Sequence, residues 1–193
     1  AGYGTTVEEV RDMVKRVMDV GVVGINIEDG TGDPHHPIAD LSYQIKVIEA
    51  IRELSLSSYS GNAPFFINAR TDFYWLNIGN ETERFTNTIE RAKAFEQAGA
   101  DCIFVPGVSC KQIIQKLRET ISKPINVLAG PNMPTVQELS EIGIERLSCG
   151  SGPFRAMATF VKALSDEMMN EQTFNLMNDG TLSYQDIADF IQK

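Results

Sequence analysis

Val22-Val23-Gly24-Ile25-Asn26-Ile27-Glu28-Asp29-Gly30 is a short apolar run that ends in two carboxylates and a glycine. It reads as a strand over residues 22–28 that delivers acid groups to its own C-terminal end. Four further runs repeat the theme: FFINAR over residues 65–70, CIFVP over 102–106, INVLA over 125–129 and RLSC over 146–149. All are short and rich in Val, Ile and Phe, with no polar alternate face, which predicts strands covered on both sides. Helical periodicity fills the gaps. Residues 6–20 set Val10, Val14 and Val17 on one face, residues 41–54 do so with Ile45, Ile48 and Ile51, and residues 83–98 with Phe85, Ile89, Ala92 and Phe95. Residues 112–120 and 136–142 are shorter versions, and 154–169 and 183–192 close the chain as a helix pair. Gly21, Gly99 and Gly143 follow their helices where a left-handed cap is wanted. Thr6 with Glu9, and Thr135 with Glu138, fit capping boxes.

Strands alternating with helices imply right-handed βαβ units and a parallel sheet, within a single domain over residues 1–193. Two architectures meet that description. A doubly wound nucleotide-binding sheet would carry G-x-G-x-x-G after a strand, and none occurs here. Polar residues instead stand at the C-terminal ends of different strands, at Glu28 and Arg70, and nearer mid-strand at Asn126, which is the pattern of a (β/α)8 TIM barrel. A whole barrel runs to about 250 residues. The expectation is therefore an α/β barrel of about five strands out of eight, lacking its N-terminal units, because Gly2-Tyr3-Gly4 leads straight into a helix.

The 193 residues are 42% hydrophobic and 22% charged, with a formal net charge of −9, so no basic footprint for nucleic acid is present. An acidic body that binds an anionic substrate must concentrate positive charge locally, through an arginine or a metal. Cys102, Cys110 and Cys149 have neither CxxC nor zinc-ligand spacing and read as free thiols. No run approaches the length of a membrane span, and the first residues lack the basic and apolar regions of a signal peptide. A cytoplasmic location is the default expectation.

Glu28 and Asp29, at a strand mouth, suit Mg²⁺ ligation directly or through water; the competing reading is an Asp-Gly turn with Glu28 in a salt bridge. Arg70 ends a buried strand, and its planar fork suits a substrate carboxylate or a developing oxyanion. An internal ion pair with Asp72 or Glu28 is compatible with that role, since a partner would aim the guanidinium. The loop TGDPHHPIAD, residues 31–40, holds both histidines. His35 and His36 are acid/base candidates on a loop placed like a gating lid, or members of an ordinary surface loop. Asn126, in an apolar strand, needs a ligand or a backbone partner. Cys149-Gly150-Ser151-Gly152 opens a helix whose free N–H groups could hold an anion, although a tight turn explains the glycines as well.

GYG at residues 2–4, GINIEDG, INARTD, GADCIFVPG, NVLAG and SCGSGPFRAM occur together, in this order. In that combination the chain resembles the isocitrate lyase and phosphoenolpyruvate mutase superfamily, and within it proteins described as carboxyvinyl-carboxyphosphonate phosphorylmutase-like. The resemblance implies a TIM barrel, a homotetramer that exchanges a C-terminal helix (here residues 154–169), Mg²⁺ as cofactor and a small anionic 2-oxo or 2-hydroxy acid as substrate. It implies Glu28 as a metal contact through water, Arg70 as the residue that steadies substrate oxygen charge, and Tyr3, Gly4, Arg70 and Asn126 as substrate-binding residues. The family's acidic metal-binding pair would precede Ala1, so this chain alone is expected to bind Mg²⁺ poorly. The resemblance stops at the substrate. TGDPHHP replaces the K-[KR]-C-G-H lid of the isocitrate lyases, and Val105-Pro106-Gly107 carries neither the mutase histidine nor the methylisocitrate lyase glutamate. What remains is a lyase cleaving a C–C bond beside an α-oxo-carboxylate through a metal-bound enolate. Alternatives are a phosphonomutase acting on a P–C bond, or a non-catalytic barrel serving as a binding or assembly module.

Overall fold

Five strands, β1 (Gly24–Glu28), β2 (Phe66–Arg70), β3 (Cys102–Val105), β4 (Ile125–Leu128) and β5 (Arg146–Ser148), form one sheet in which each pairs in parallel with its predecessor in the chain. The computed structural model describes residues 4–58 and 64–191. A doubly wound sheet reverses its strand order at a switch point. Here the order is β1-β2-β3-β4-β5 without reversal, the arc of a (β/α)8 barrel.

Helices α1 (Val7–Asp19), α2 (Leu41–Ser58), α3 (Glu81–Ala98), α4 (Lys111–Thr120) and α5 (Val136–Ile142) precede or link these strands. The expected capping boxes at Thr6 and Thr135 are both formed, each hydroxyl accepting the N–H three residues on. Asn80 forms a third with Glu83 and starts α3 at Glu81, two residues before the expected position. Gly99 and Gly143 are left-handed C-caps at φ 105° and 93°. Helix α2 continues past the expected end at residue 54, since LSLSS holds no breaker and the Ser57 hydroxyl donates back to the Glu53 carbonyl.

The core lies between the sheet and these helices. Ile27, Ile67, Ile103 and Ile125 from the strands meet Val14, Ile48, Phe95 and Ile114 from the helices, all fully buried or nearly so. Each such side chain contributes about 1.5–3 kcal/mol on leaving water. The expectation of strands without a polar alternate face is corrected. Asn26 and Glu28 on β1, Asn68 and Arg70 on β2, Asn126 on β4 and Ser148 on β5 alternate with the core residues. They pair across the inner face: Asn68 Nδ2 donates to Asn26 Oδ1 at 2.7 Å, and Ser148 Oγ to Asn126 Oδ1 at 3.0 Å. The helices cover one face only, and the other is the barrel interior. Away from the strand mouths, Arg52 of α2 bonds the carbonyls of Phe65 and Gly99 and the Asp101 carboxylate, which also receives the Ile67 N–H. That clamp fixes the entry to β2 and β3.

The chain divides into two compact units, Ala1–Cys149, which holds the sheet, and Gly150–Lys193. The second unit contains α6 (Gly152–Asp166), α7 (Asn175–Asn178) and α8 (Tyr184–Ile191). The helix expected over residues 154–169 is therefore corrected at its end. From Glu167 to Glu171 the chain makes a π turn, closed by the Gln172 N–H on the Glu167 carbonyl at 3.0 Å. The Glu167 carboxylate accepts from Thr173 Oγ1, Asn175 N and Leu176 N, so one buried acid both ends the long helix and starts α7.

The three cysteines are free; Cys102 is buried, and burial pushes its thiol up to about 11. Among the described residues no helix is long and apolar enough to cross a membrane.

Candidate active site

Strands β1 and β2 run in register so that Glu28 and Arg70, the last residue of each, are direct neighbours. A parallel sheet places such terminal residues at one mouth. Arg70 Nη1 lies 2.9 Å from Glu28 Oε2, while Nε and Nη2 donate to Asp72 Oδ1 and Oδ2 at 2.6 and 3.1 Å. The second contact is a bidentate fork, which fixes the plane of the guanidinium. Rings flank it as well, since the Arg70 guanidinium carbon is 5.7 Å from the centroids of both Trp75 and Phe104. The competing ion-pair partners considered for Arg70, Glu28 and Asp72, are thus both engaged. Two carboxylates share one guanidinium at the mouth.

Beneath this cluster lies Asp29, fully buried. Its Oδ1 accepts the Asp72 N–H at 2.9 Å, and its Oδ2 is 3.2 Å from Arg91 Nη1. Burial pushes the Asp29 carboxyl up to about 6, with the Arg91 charge working in the other direction. Burial also raises Asp72, opposed by its bonds to Arg70. Arg91 reaches in from α3, donates to the Ala39 carbonyl at 2.7 Å and sits 5.5 Å from the Phe73 ring. It thereby ties the end of β1, the end of the following loop and the turn after β2 to one cation. Gly30 permits the arrangement, because a Cβ there would stand 2.4 Å from Asp72 Oδ2.

The loop after β1 folds on itself. Gly30 bridges Ile38, Thr31 N donates to the Pro37 carbonyl and its hydroxyl to the His36 carbonyl, and Asp33 caps the His35 N–H. His35 and His36 are exposed on it, and neither lines the mouth. A cavity of about 350 Å³ opens between this loop and residues 72–76, with Glu28 and Asp72 in its lining. A second, of about 330 Å³, lies on the other flank of Glu28, against Gly4, Tyr43 and Gln44. Gly4 thus borders the site at the start of α1. Tyr3, the other substrate-binding candidate there, falls outside the described residues. Asn126 is fully buried on the inner face of β4; its Oδ1 is taken by Ser148, and its Nδ2 has no partner. It stands two strands from Arg70, with Phe104 of β3 between them in register. The structure therefore unites Glu28 and Arg70, sets Gly4 at their side, and keeps Asn126, His35 and His36 apart from them. It adds Arg91 and Trp75, seats Asp72 on Arg70, and buries Asp29 against Arg91 rather than presenting it at the mouth beside Glu28.

No group of three or more His, Cys, Asp or Glu residues is disposed to hold a metal among the described residues. Mg²⁺ needs only one or two carboxylates and keeps several waters. Glu28, a partly exposed carboxylate at the strand mouth, fits one such contact.

Residues 1–169 match the family model described as phosphoenolpyruvate phosphomutase. An uncharacterised Mycobacterium tuberculosis protein is 33% identical over 169 residues, covering 86% of this chain and 59% of that relative. The oxaloacetate decarboxylase of Paraburkholderia xenovorans is 25% identical over 94% of this chain and 56% of its own length. The chain thus spans a little under three fifths of these relatives. Among solved structures, a Burkholderia cenocepacia protein described as a candidate lyase/mutase superposes with a TM-score of 0.88 at 25% identity, over 100% of this chain and 67% of that one. Phosphonopyruvate hydrolase, solved with oxalate and Mg²⁺, shares the fold with a TM-score of 0.76 at 17% identity, over 100% of this chain and 66% of that one.

Proposed function

The chain belongs to the phosphoenolpyruvate phosphomutase family, within the isocitrate lyase and phosphoenolpyruvate mutase superfamily, and from that premise we propose that the whole protein is a Mg²⁺-dependent lyase. It cleaves a C–C bond in a small 2-oxo or 2-hydroxy di-acid, leaving an enolate-type fragment. The observation that carries the reading is the Arg70 guanidinium, fixed at a strand mouth by Glu28 and by the Asp72 fork.

Cleavage beside an α-oxo-carboxylate throws negative charge onto the retained oxygen. A donor already aimed at that oxygen stabilises the charge with no reorganisation at the moment of reaction. Arg70 is such a donor, because its two carboxylate partners and two flanking rings hold it before substrate arrives. Glu28 would hold Mg²⁺ through water, and the ion would supply Lewis-acid stabilisation of the same developing charge. Asp72 and Asp29 act behind Arg70, fixing its direction. The kinds of enzyme among the relatives support the class of chemistry, and the lack of a lid Lys-Cys pair argues for a substrate other than isocitrate.

The test uses the full-length protein on a panel of 2-oxo and 2-hydroxy di-acids and phosphonates, with Mg²⁺ or with EDTA. Turnover of a di-acid that needs Mg²⁺, and a kcat lower by about 100- to 1,000-fold in Arg70→Ala, is the expected result. Turnover indifferent to both, or confined to a phosphonate, would refute the assignment.

A further inference from the structure

The cavity between the β1 loop and the turn after β2 has sides of opposite character. Trp75, Leu76, Pro34 and Pro37 form an apolar wall, and Glu28, Asp33 and Asp72 contribute carboxylates. Trp75 and Leu76 remain 52% and 42% exposed, large apolar surfaces left open to water. The Trp75 turn is held in place from outside. Gly107, at φ 86° in the turn after β3, approaches so closely that a Cβ on it would lie 2.8 Å from Trp75 Cα. The ring is also held from inside, by the Arg70 guanidinium at 5.7 Å.

A second carboxylate of the substrate has no place in this cavity. Among the described residues no Lys or Arg lines it, and the Arg70 guanidinium beside it is already held by Glu28 and Asp72. An uncharged apolar group is favoured there, since it removes the indole and Leu76 from water. We propose that Trp75 is a specificity-determining residue, and that the acid bound at Arg70 carries a short alkyl branch lodged against its indole in this cavity. This deepens the lyase reading and rests on it for the placement of the acid at Arg70. A methylene more or less in an apolar pocket changes discrimination by about 10- to 200-fold, enough to select among otherwise similar di-acids.

Trp75 is the single tryptophan of these 193 residues, and the difference in emission between wild type and Trp75→Ala isolates its signal. Malonate and butylmalonate, the same di-acid without and with an alkyl branch, serve as probes. Full-length protein with Mg²⁺ is titrated with each, by fluorescence and by calorimetry, beside Trp75→Ala read both ways and Arg70→Ala read by calorimetry. The expected result is butylmalonate binding at least about tenfold tighter than malonate, with a blue shift of Trp75 emission, and a loss in Trp75→Ala about tenfold greater for butylmalonate. Equal affinity for the two acids, equal losses in Trp75→Ala, or no binding of either overturns the proposal. Arg70→Ala separates the two readings. If it weakens both acids while no alkyl preference exists, the lyase reading stands and this inference falls. If it weakens neither while the Trp75-dependent preference persists, Trp75 still selects the alkyl branch, but the placement of the acid at Arg70 and the lyase reading both fall.

Discussion

At Asp29, burial and pairing pull against each other. A carboxylate taken fully out of water is costly, and here Arg91 and the Asp72 N–H compensate it. Removing the cation leaves the acid uncompensated, so Arg91→Ala is expected to cost about 3–5 kcal/mol. The double variant Arg91→Ala/Asp29→Asn should recover part of that loss, and urea unfolding of the single and double variants measures both. Arg70 was legible in sequence as a charged residue ending a buried strand, with Asp72 two positions on as its evident partner. Arg91 was not legible, because it meets Asp29 across 62 residues and lies on a helix whose periodicity marks only its core face. Trp75 was equally silent, a single aromatic in a turn whose importance comes from what surrounds it. His35 and His36 are acid/base candidates by residue type alone; both are exposed on a loop closed by its own hydrogen bonds, and neither lines the cavity beside Glu28.

Elements begin and end where local chemistry says so. Threonine caps, left-handed glycines and apolar periodicity set most helix limits within a few residues, since these signals act within a turn of the chain. What sequence did not show was the π turn at Glu167, whose carboxylate gathers donors from residues that follow the helix. Alternation along the strands was also missed: Asn26, Asn68 and Asn126 are easily absorbed into apolar runs, although their side chains share the inner face. One cap makes an acid-pH prediction. The Glu138 carboxylate is held at about 2, first by Lys111 and then by the Thr135 N–H and hydroxyl. A depressed carboxyl contributes stability above its unfolded value near 4.5, and loses it as pH falls towards about 2. Glu138→Gln should therefore flatten the acid limb of a Tm-against-pH series below about pH 4.5, leaving the slope near neutrality unchanged.

For the molecule as a whole, sequential parallel pairing settles the architecture; strand-to-helix alternation left two candidates, and polar residues at the strand ends with no G-x-G-x-x-G pointed to the barrel. The division at Cys149 was not anticipated, because no composition shift marks it. In the second unit, Phe154, Met157, Phe160 and Val161 on α6 are 46–64% exposed, an apolar stripe at helical spacing. A helix exchanged between subunits would cover such a stripe. The proposal of a homotetramer exchanging this helix predicts that the full-length protein elutes as four copies in light-scattering chromatography. Phe154→Glu/Phe160→Glu should shift it to smaller species, and a monomeric wild type would refute the exchange.

Arg70, held ready by Glu28 and Asp72, is proposed to stabilise the charge that develops on an enolate oxygen. Oxalate is a stable mimic of that charge distribution, and a group that acts on the transition state should act equally on its analogue. Calorimetry of oxalate binding to the full-length protein with Mg²⁺, wild type against Arg70→Ala, is the most direct measurement. An affinity about 100-fold or more weaker in the variant, in step with its loss of kcat, is the expected result. Oxalate bound equally well by both proteins would contradict it.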